Sequence, residues 1–549
     1  MAARPVPLST SSERAEETVV RSFDGVGLAT DVYLPAPMPA RPLPTILVRL
    51  PYDKGGEYAY MPAIAPYLIE RGYAVVVQDV RGKGRSEGST EAFGHEIADG
   101  HATLDWIESQ RWSNGRVGMF GDSYYGVTQW AAAAADHRAL KAVVPRFCST
   151  RLADDWLTRQ GVFCLFTMTE WAAMTWVDSR LWDFEFDWSH RPLCELIPAW
   201  LDGRRSASFD RWVEAIARSR PLDFGLARVA DRLGVPGLHV GGSWDVFARG
   251  QVGDFTRAST AGRAPQHLLL RATDHYDDPI PVPGHPILDK MTEPLLRAAY
   301  LPRMLDEPLG FYDQFVAERG ESWRRPVVSY EIAHGERQVS TTWPPTGATW
   351  RHWYLADATR APHGPAGGAL ATRPERRPAI LTWVHDPNDP VPTSIAYPWR
   401  PLLELPDERR VESRPDVMTF TSDPSRDGLD LAGFAALDVD LVEGAGGGHL
   451  MAKLVDVEPT GRSTLIGEGA LRFGASPRSQ LLSLDLGTFA YRVRPGHRLR
   501  VQLAGSSFPR YAVHPGNDDD PMLATAGVAR QIGCRIGERS RLRVQALDR

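Results

Sequence analysis

A serine in the stretch Gly121-Asp122-Ser123-Tyr124-Tyr125-Gly126 has the surroundings of a nucleophile. The β-branched and apolar run from Val117 to Phe120 reads as a strand aimed into the turn, and the alanine-rich run from Val127 to Ala135 reads as a helix leaving it. A serine between strand and helix is lifted clear of the sheet. The next peptide N–H then sits at the foot of a helix, where a developing oxyanion can be held. The pattern departs from Gly-x-Ser-x-Gly, because Tyr125 stands at the second glycine position and Gly126 follows one place later.

A serine hydroxyl attacks a carbonyl only if a base takes its proton, and an imidazole does so best when a carboxylate fixes its tautomer. In an α/β-hydrolase the acid and then the histidine come from the ends of later strands. Asp245 follows the apolar run GLHVGG (237–242), and His275 follows HLLLRA (267–272), so the chain order Ser123, Asp245, His275 is the required one. His239, His267 and His285 are rival histidines, and Asp274, Asp277 and Asp278 are rival acids. The first two histidines lie in or at the start of strands, the third lies in a proline-rich loop, and the three acids crowd His275 in sequence. For the oxyanion, Tyr124 offers its backbone N–H. No His-Gly-Gly-Gly run supplies a second donor; Tyr52, after the strand ending at Leu50, is either that donor through its hydroxyl or a packed loop aromatic.

These residues need a parallel sheet to bring them to one edge. Alternation around Asp24-Gly25 predicts an opening hairpin. Thr45 to Leu50, Tyr73 to Asp79 and Lys141 to Pro145 read as buried strands, with helices over Met61 to Glu70 and Ala98 to Gln110. The expected fold class is α/β, an α/β-hydrolase core. From Cys148 to about Ala230 aromatic-rich helical segments replace the β-branched runs, which predicts an inserted helical cap. After a helical stretch from Pro294 to Val316, short strands at close spacing, beginning with Val327 to Ile332, predict a C-terminal β jelly-roll domain. The boundaries expected are core 1–145, cap 146–234, core 235–325 and jelly roll 326–549.

Composition narrows the function classes. With 43% hydrophobic residues the chain can bury large cores, and a net charge of −6 with interspersed signs excludes a nucleic-acid or anionic-membrane footprint. The N-terminus has no apolar segment of the kind a signal or membrane span needs, which predicts a cytoplasmic address. Four cysteines without Cys-x-x-Cys spacing argue for packed thiols rather than a disulfide framework or structural zinc. Gly82-Lys83-Gly84 lacks the spacing of a phosphate loop, and Asp518-Asp519-Asp520 lacks a ligand ladder, so no metal and no cofactor are expected.

Taken together, RLPYDK (49–54), QDVRGKGRSEG (78–88), GMFGDSYYGVTQW (118–130) and GGSWDVF (241–247) resemble the cocaine-esterase-like hydrolases. That group also includes α-amino-acid ester hydrolases and is related to X-prolyl dipeptidyl-peptidases. The resemblance covers nearly the whole chain and accounts for the displaced glycine, since the elbow there reads Gly-x-Ser-Tyr-x-Gly. It implies Ser123 as nucleophile, Asp245 as acid, His275 as base, and Tyr52 hydroxyl and Tyr124 N–H as oxyanion donors. The chain departs from it before the histidine, with Arg271-Ala272-Thr273-Asp274-His275 where Gly-Pro-Trp is common.

The expected activity is hydrolysis of small-molecule carboxylic esters, with amides, X-prolyl or aminopeptidase-like cleavage and acyl transfer as alternatives. A non-catalytic binding protein on a hydrolase shell is the reading from another class. The cap aromatics Trp156, Phe166, Trp171 and Trp176 are candidates for an apolar substrate wall, or else the cap's own core. The interleaved acids Glu170, Asp178, Asp183, Glu185 and Asp187 would suit a substrate ammonium, or simply an exposed face. A large apolar cap face would also support a homodimer.

Overall fold

Strands rich in apolar and β-branched residues must be covered on both faces, and this requirement organises the first half of the chain. The computed structural model describes residues 15–176, 185–281, 289–291, 294–319, 323, 325–362, 364, 367–442 and 446–548. Strands β1 (Glu16–Arg21) and β2 (Gly27–Tyr33) form the antiparallel opening hairpin. Strands β3 (Leu43–Leu50), β4 (Ala74–Asp79), β5 (Ser113–Asp122) and β6 (Leu140–Arg146) alternate with helices α1 (Met61–Ile69), α2 (Glu96–Ser109) and α3 (Ser123–Ala134). Every residue of β3 and β4 is buried, as their composition demands.

Between β6 and the next core strand lies an insertion. It holds a small hairpin, β7 (Thr158–Arg159) and β8 (Val162–Phe163), and helices α4 (Leu165–Trp176), α5 (Leu196–Trp200) and α6 (Ala207–Ala217). The core then resumes with β9 (Gly237–Gly242), α7 (Ala248–Ala261), β10 (Gln266–Arg271), α8 (Pro294–Phe315), β11 (Val328–Glu331) and β12 (Arg337–Ser340). The sheet order is β1-β2-β4-β3-β5-β6-β9-β10-β11-β12. Every pairing from β4 to β11 is parallel. A parallel sheet sends the carboxyl ends of its strands to one edge, so the loops after β3, β5, β9 and β10 meet there.

The strand at Val328–Glu331, which short-strand patterning groups with the C-terminal domain, joins the core sheet instead. It pairs parallel with β10, Leu268 opposite Val328, and β12 closes that edge. Strand patterning registers a β-strand and not which open sheet edge will accept it.

From β13 (Thr349–Ala356) to β23 (Arg541–Leu547) the chain forms an eleven-stranded β domain, the jelly roll. Leu431, Leu437, Leu454, Phe489, Leu503 and Val544 lie inside it, and β23 alternates strictly between half-buried and buried residues. The domain docks beside the ends of β9 and β10. The Trp244 indole donates to Leu465 O at 3.3 Å, Arg249 pairs with Asp485 at 2.6 Å, and Arg400 pairs with Asp278 at 2.7 Å. Among the described residues no helix is long and apolar enough to cross a membrane.

Candidate active site

Ser123 begins α3 with φ +55°, a left-handed conformation that costs a non-glycine residue on the order of 1–3 kcal/mol and persists only where its surroundings enforce it. The two flanking glycines show how. A Cβ at Gly121 would lie 2.1 Å from the Tyr125 ring, and one at Gly126 would lie 2.6 Å from Cys148 Sγ and 2.9 Å from Arg146 O. The displaced second glycine is therefore the point where α3 presses on the end of β6. Tyr125 fills the space over Gly121.

Asp245 and His275 leave neighbouring parallel strands and meet. Asp245 Oδ1 lies 2.7 Å from His275 Nδ1, with the carboxylate fully buried and the imidazole 7% exposed. An Nδ1 facing a carboxylate carries the proton, which leaves Nε2 as the acceptor. Ser123 and His275 both line one open cleft. The rings of Phe147, Phe247, Tyr276 and Trp399 surround the imidazole, Trp399 closest at 4.9 Å between centroids.

The rivals are committed elsewhere. Asp274 accepts from the backbone N–H groups of Tyr276, Asp278 and Leu402, Asp277 pairs with Arg271 and Arg146, and Asp278 pairs with Lys290 and Arg400. His239 bonds Gln266 inside the sheet, His267 packs on Trp323 and Phe311, and His285 lies outside the described residues.

Tyr52, just past β3, is 2% exposed; its hydroxyl accepts the Trp171 indole N–H at 3.1 Å and hydrogen-bonds with the Ser123 side chain. Burial pushes its pKa up to about 12, so the phenol stays protonated at neutral pH and can donate. Tyr124 divides its roles. Its hydroxyl donates to Glu96 at 2.8 Å and accepts the Phe93 N–H at 3.0 Å, while its backbone N–H lies in the first turn of α3, where no intrahelical acceptor exists.

Of the cap aromatics, Trp156 and Trp171 come together, edge to face at 4.9 Å, and both are buried. Phe93, Phe247 and Trp399 pack onto this pair: Phe93 stacks on Trp171 at 5.9 Å, and Trp156 contacts Phe247 at 6.0 Å and Trp399 at 6.5 Å. Phe166 sits on another face of α4 and packs on Trp188 at 5.1 Å, because five residues along a helix turn the side chain well away from Trp171. The Trp176 side chain lies outside the described residues.

Trp399 and Phe93 carry no motif. Trp399 arrives from the β domain, and only the φ of +64° at Phe93 marks it as specially held.

Among the cap acids, Glu185 and Asp187 are exposed, and Asp178 and Asp183 lie outside the described residues. Glu170 is different: burial raises its pKa from 4.5 to about 7, partly offset by the Trp399 indole that hydrogen-bonds to it. The folded chain therefore holds one proton more than the unfolded chain between those values, and its stability falls as pH rises through that window, levelling above 7. Glu170→Gln is expected to match wild type near pH 4.5 and to exceed it above pH 7, by on the order of 2–3 kcal/mol. Wild-type tryptophan fluorescence should show a transition near pH 7 that the variant lacks; an identical transition in both proteins would refute this.

One His/Asp cluster among the described residues has metal-ligand spacing, His101, Asp105 and His137. His137 Nδ1 accepts the Ala139 N–H, so its Nε2 carries the proton and donates to Asp105 at 3.0 Å. A protonated nitrogen is no ligand.

Sheet order, elbow and the paired acid and histidine define an α/β-hydrolase of the serine type. Residues 24–277 match the X-Pro dipeptidyl-peptidase (S15 family) profile, and residues 321–533 match the X-Pro dipeptidyl-peptidase C-terminal non-catalytic domain. The chain belongs to the cocaine-esterase-like serine hydrolases, related to the X-Pro dipeptidyl-peptidases. It is 28% identical to the cocaine esterase of Rhodococcus sp. (strain MB1 Bresler), over 90% of this chain and 91% of that one. It is 24% identical to a putative serine esterase of Mycobacterium tuberculosis, over 92% of each. Its fold is similar to that of an α-amino acid ester hydrolase, TM-score 0.81 at 22% identity over 99% and 98% of the two chains. An aminopeptidase from a marine sediment Thaumarchaeota archaeon gives 0.79 at 20% identity over 100% and 99%.

Proposed function

We propose that this chain hydrolyses carboxylic esters through an acyl-enzyme on Ser123. The observation that carries the reading is the convergence on one cleft of the Ser123 hydroxyl, an imidazole whose Nδ1 is held by Asp245, and a protonated buried phenol at Ser123. In this reading Ser123 Oγ attacks the ester carbonyl while His275 Nε2 takes its proton. The carbonyl oxygen becomes an oxyanion, held by the Tyr52 hydroxyl and the Tyr124 N–H. Collapse expels the alcohol, which takes the proton from the imidazolium, and water activated by the same imidazole releases the acid.

Trp156 and Trp171, with Phe93, Phe247 and Trp399, form a buried aromatic cluster that gives the site an apolar flank suited to an aryl or acyl group, and the rings around His275 limit water there. Phe166 supports the cap from its other face.

The experiment is hydrolysis of phenyl acetate by wild type and Tyr52→Phe. Phenylalanine keeps the ring packing and removes one donor. The expected result is ready phenol release by wild type and a kcat lower by roughly 10²–10³ in the variant, the usual effect of losing one oxyanion donor. No phenol release by wild type sinks the esterase reading, and an unchanged kcat in the variant sinks the role of Tyr52.

A further inference from the structure

The cleft that holds Ser123 and His275 is walled on its other side by tyrosines and cations. Tyr58, Tyr60, Tyr125, Tyr276 and Tyr300 line it together with Arg146, Lys290 and Arg297. Two of these cations are neutralised. Arg146 pairs with Asp122 and lies 3.5 Å from Asp277, and Lys290 lies 3.1 Å from Asp278.

Arg297, in the first turns of α8, has a different set of contacts. Its guanidinium donates to Tyr58 O at 2.6 Å and lies over the Tyr60 ring, 4.0 Å from the centroid, and it forms no ion pair with any described residue. The exposed carboxylate of Glu57 acts on it only as a weak, longer-range charge. Elsewhere in the core, by contrast, the buried Arg49, Lys54, Arg81 and Arg271 each face a carboxylate within 3 Å.

A half-buried guanidinium has lost part of its hydration, and one carbonyl and one ring face do not use its five donors. Among the described residues lining the cleft, the only carboxylates are Asp122 and Asp277, and Arg146 stands beside both. The wall is thus cationic on balance. A substrate ammonium would be repelled there, whereas a carboxylate would find a planar, bidentate partner.

We propose that Arg297 is a specificity-determining residue that binds a carboxylate on the substrate, so that the preferred esters are anionic. This rests on the ester-hydrolase reading above and narrows it. The anionic group belongs either to the acyl half, as in a hemi-ester of a dicarboxylic acid, or to the alcohol half.

The experiment uses the full chain and five phenol-releasing esters. Phenyl hydrogen glutarate and its methyl ester form an anionic and neutral pair with the charge on the acyl half. 4-Acetoxybenzoate and its methyl ester form the pair with the charge on the alcohol half. Phenyl 5-(trimethylammonio)pentanoate is the cation. The expected result is a kcat/KM for one anion roughly tenfold or more above its neutral twin, the size of a charge-assisted hydrogen-bonded contact. That ratio should shrink with added salt, collapse towards one in Arg297→Gln, and be partly kept in Arg297→Lys; the responding pair identifies the half that carries the charge. Neutral twins as good as both anions, a preference for the cation, or a ratio unchanged in Arg297→Gln would each overturn the proposal. If Arg297→Gln does not fold, the wild-type ratios and their salt dependence decide it. Hydrolysis of the neutral esters without charge preference removes only the role of Arg297. Release from none of the five removes the esterase reading as well.

Discussion

Ser123→Ala is expected to lower kcat by about 10⁶ and to abolish labelling by a fluorophosphonate probe, leaving only the residual rate that oxyanion donors and binding supply. The size of the effect follows from what the alanine removes. The elbow places one hydroxyl at the end of β5, and among the described lining of the cleft no other serine, threonine or cysteine stands in for it. The fold should tolerate the change, because alanine removes a single oxygen and the φ of +55° is imposed by the packing of α3 against β5 and β6. Labelling mapped by peptide mass and turnover measured on the same preparation check this. Hydrolysis within tenfold of wild type in the alanine variant would mean that the nucleophile lies elsewhere.

The second large effect is expected at Asp245. In Asp245→Asn the amide can hydrogen-bond the imidazole with the wrong polarity, favouring the tautomer whose Nε2 already carries a proton and cannot accept one from Ser123. The expected loss is about 10⁴ in kcat with KM little changed and the thermal midpoint nearly intact, since the side chains are isosteric. No neighbour is free to take over. Asp274 holds three backbone N–H groups, and Asp277 and Asp278 are held in ion pairs. Asp245 Oδ2 has no hydrogen-bond partner among the described residues, so the bond from His275 is what this carboxylate does for the site. A loss below tenfold would transfer the role to another acid.

Much of this arrangement was legible in residue patterns. The hairpin at Asp24-Gly25 and the buried strands ending at Leu50, Asp79 and Asp122 appear in the structure within a few residues of where residue patterns put them. Short range explains this: strand and helix periodicity and turn chemistry act over a few neighbours and leave their mark in sequence. The strand at Val328–Glu331 shows where that range ends. Its pattern says strand, but its place on the core sheet depends on the exposed edge of β10, about 60 residues away.

Candidate site residues divide in the same way. Ser123, Asp245 and His275 could be named from chain order and strand ends, because a parallel sheet converts position along the chain into position at one edge. Local residue patterns are therefore enough for the hydrolase core, the chain order of the three candidate groups and the presence of an aromatic cap. Tertiary packing decided which aromatics gather near the site. Trp171 reaches the Tyr52 hydroxyl and Trp156 packs on it, Phe166 turns to Trp188 instead, and Trp399 reaches His275 from the β domain. It also decided that Arg297 faces the cleft without an ion-pair partner among the described residues while Arg146, on the same cleft, is neutralised. Contacts between side chains far apart in sequence are set by packing and charge pairing, which no local pattern records.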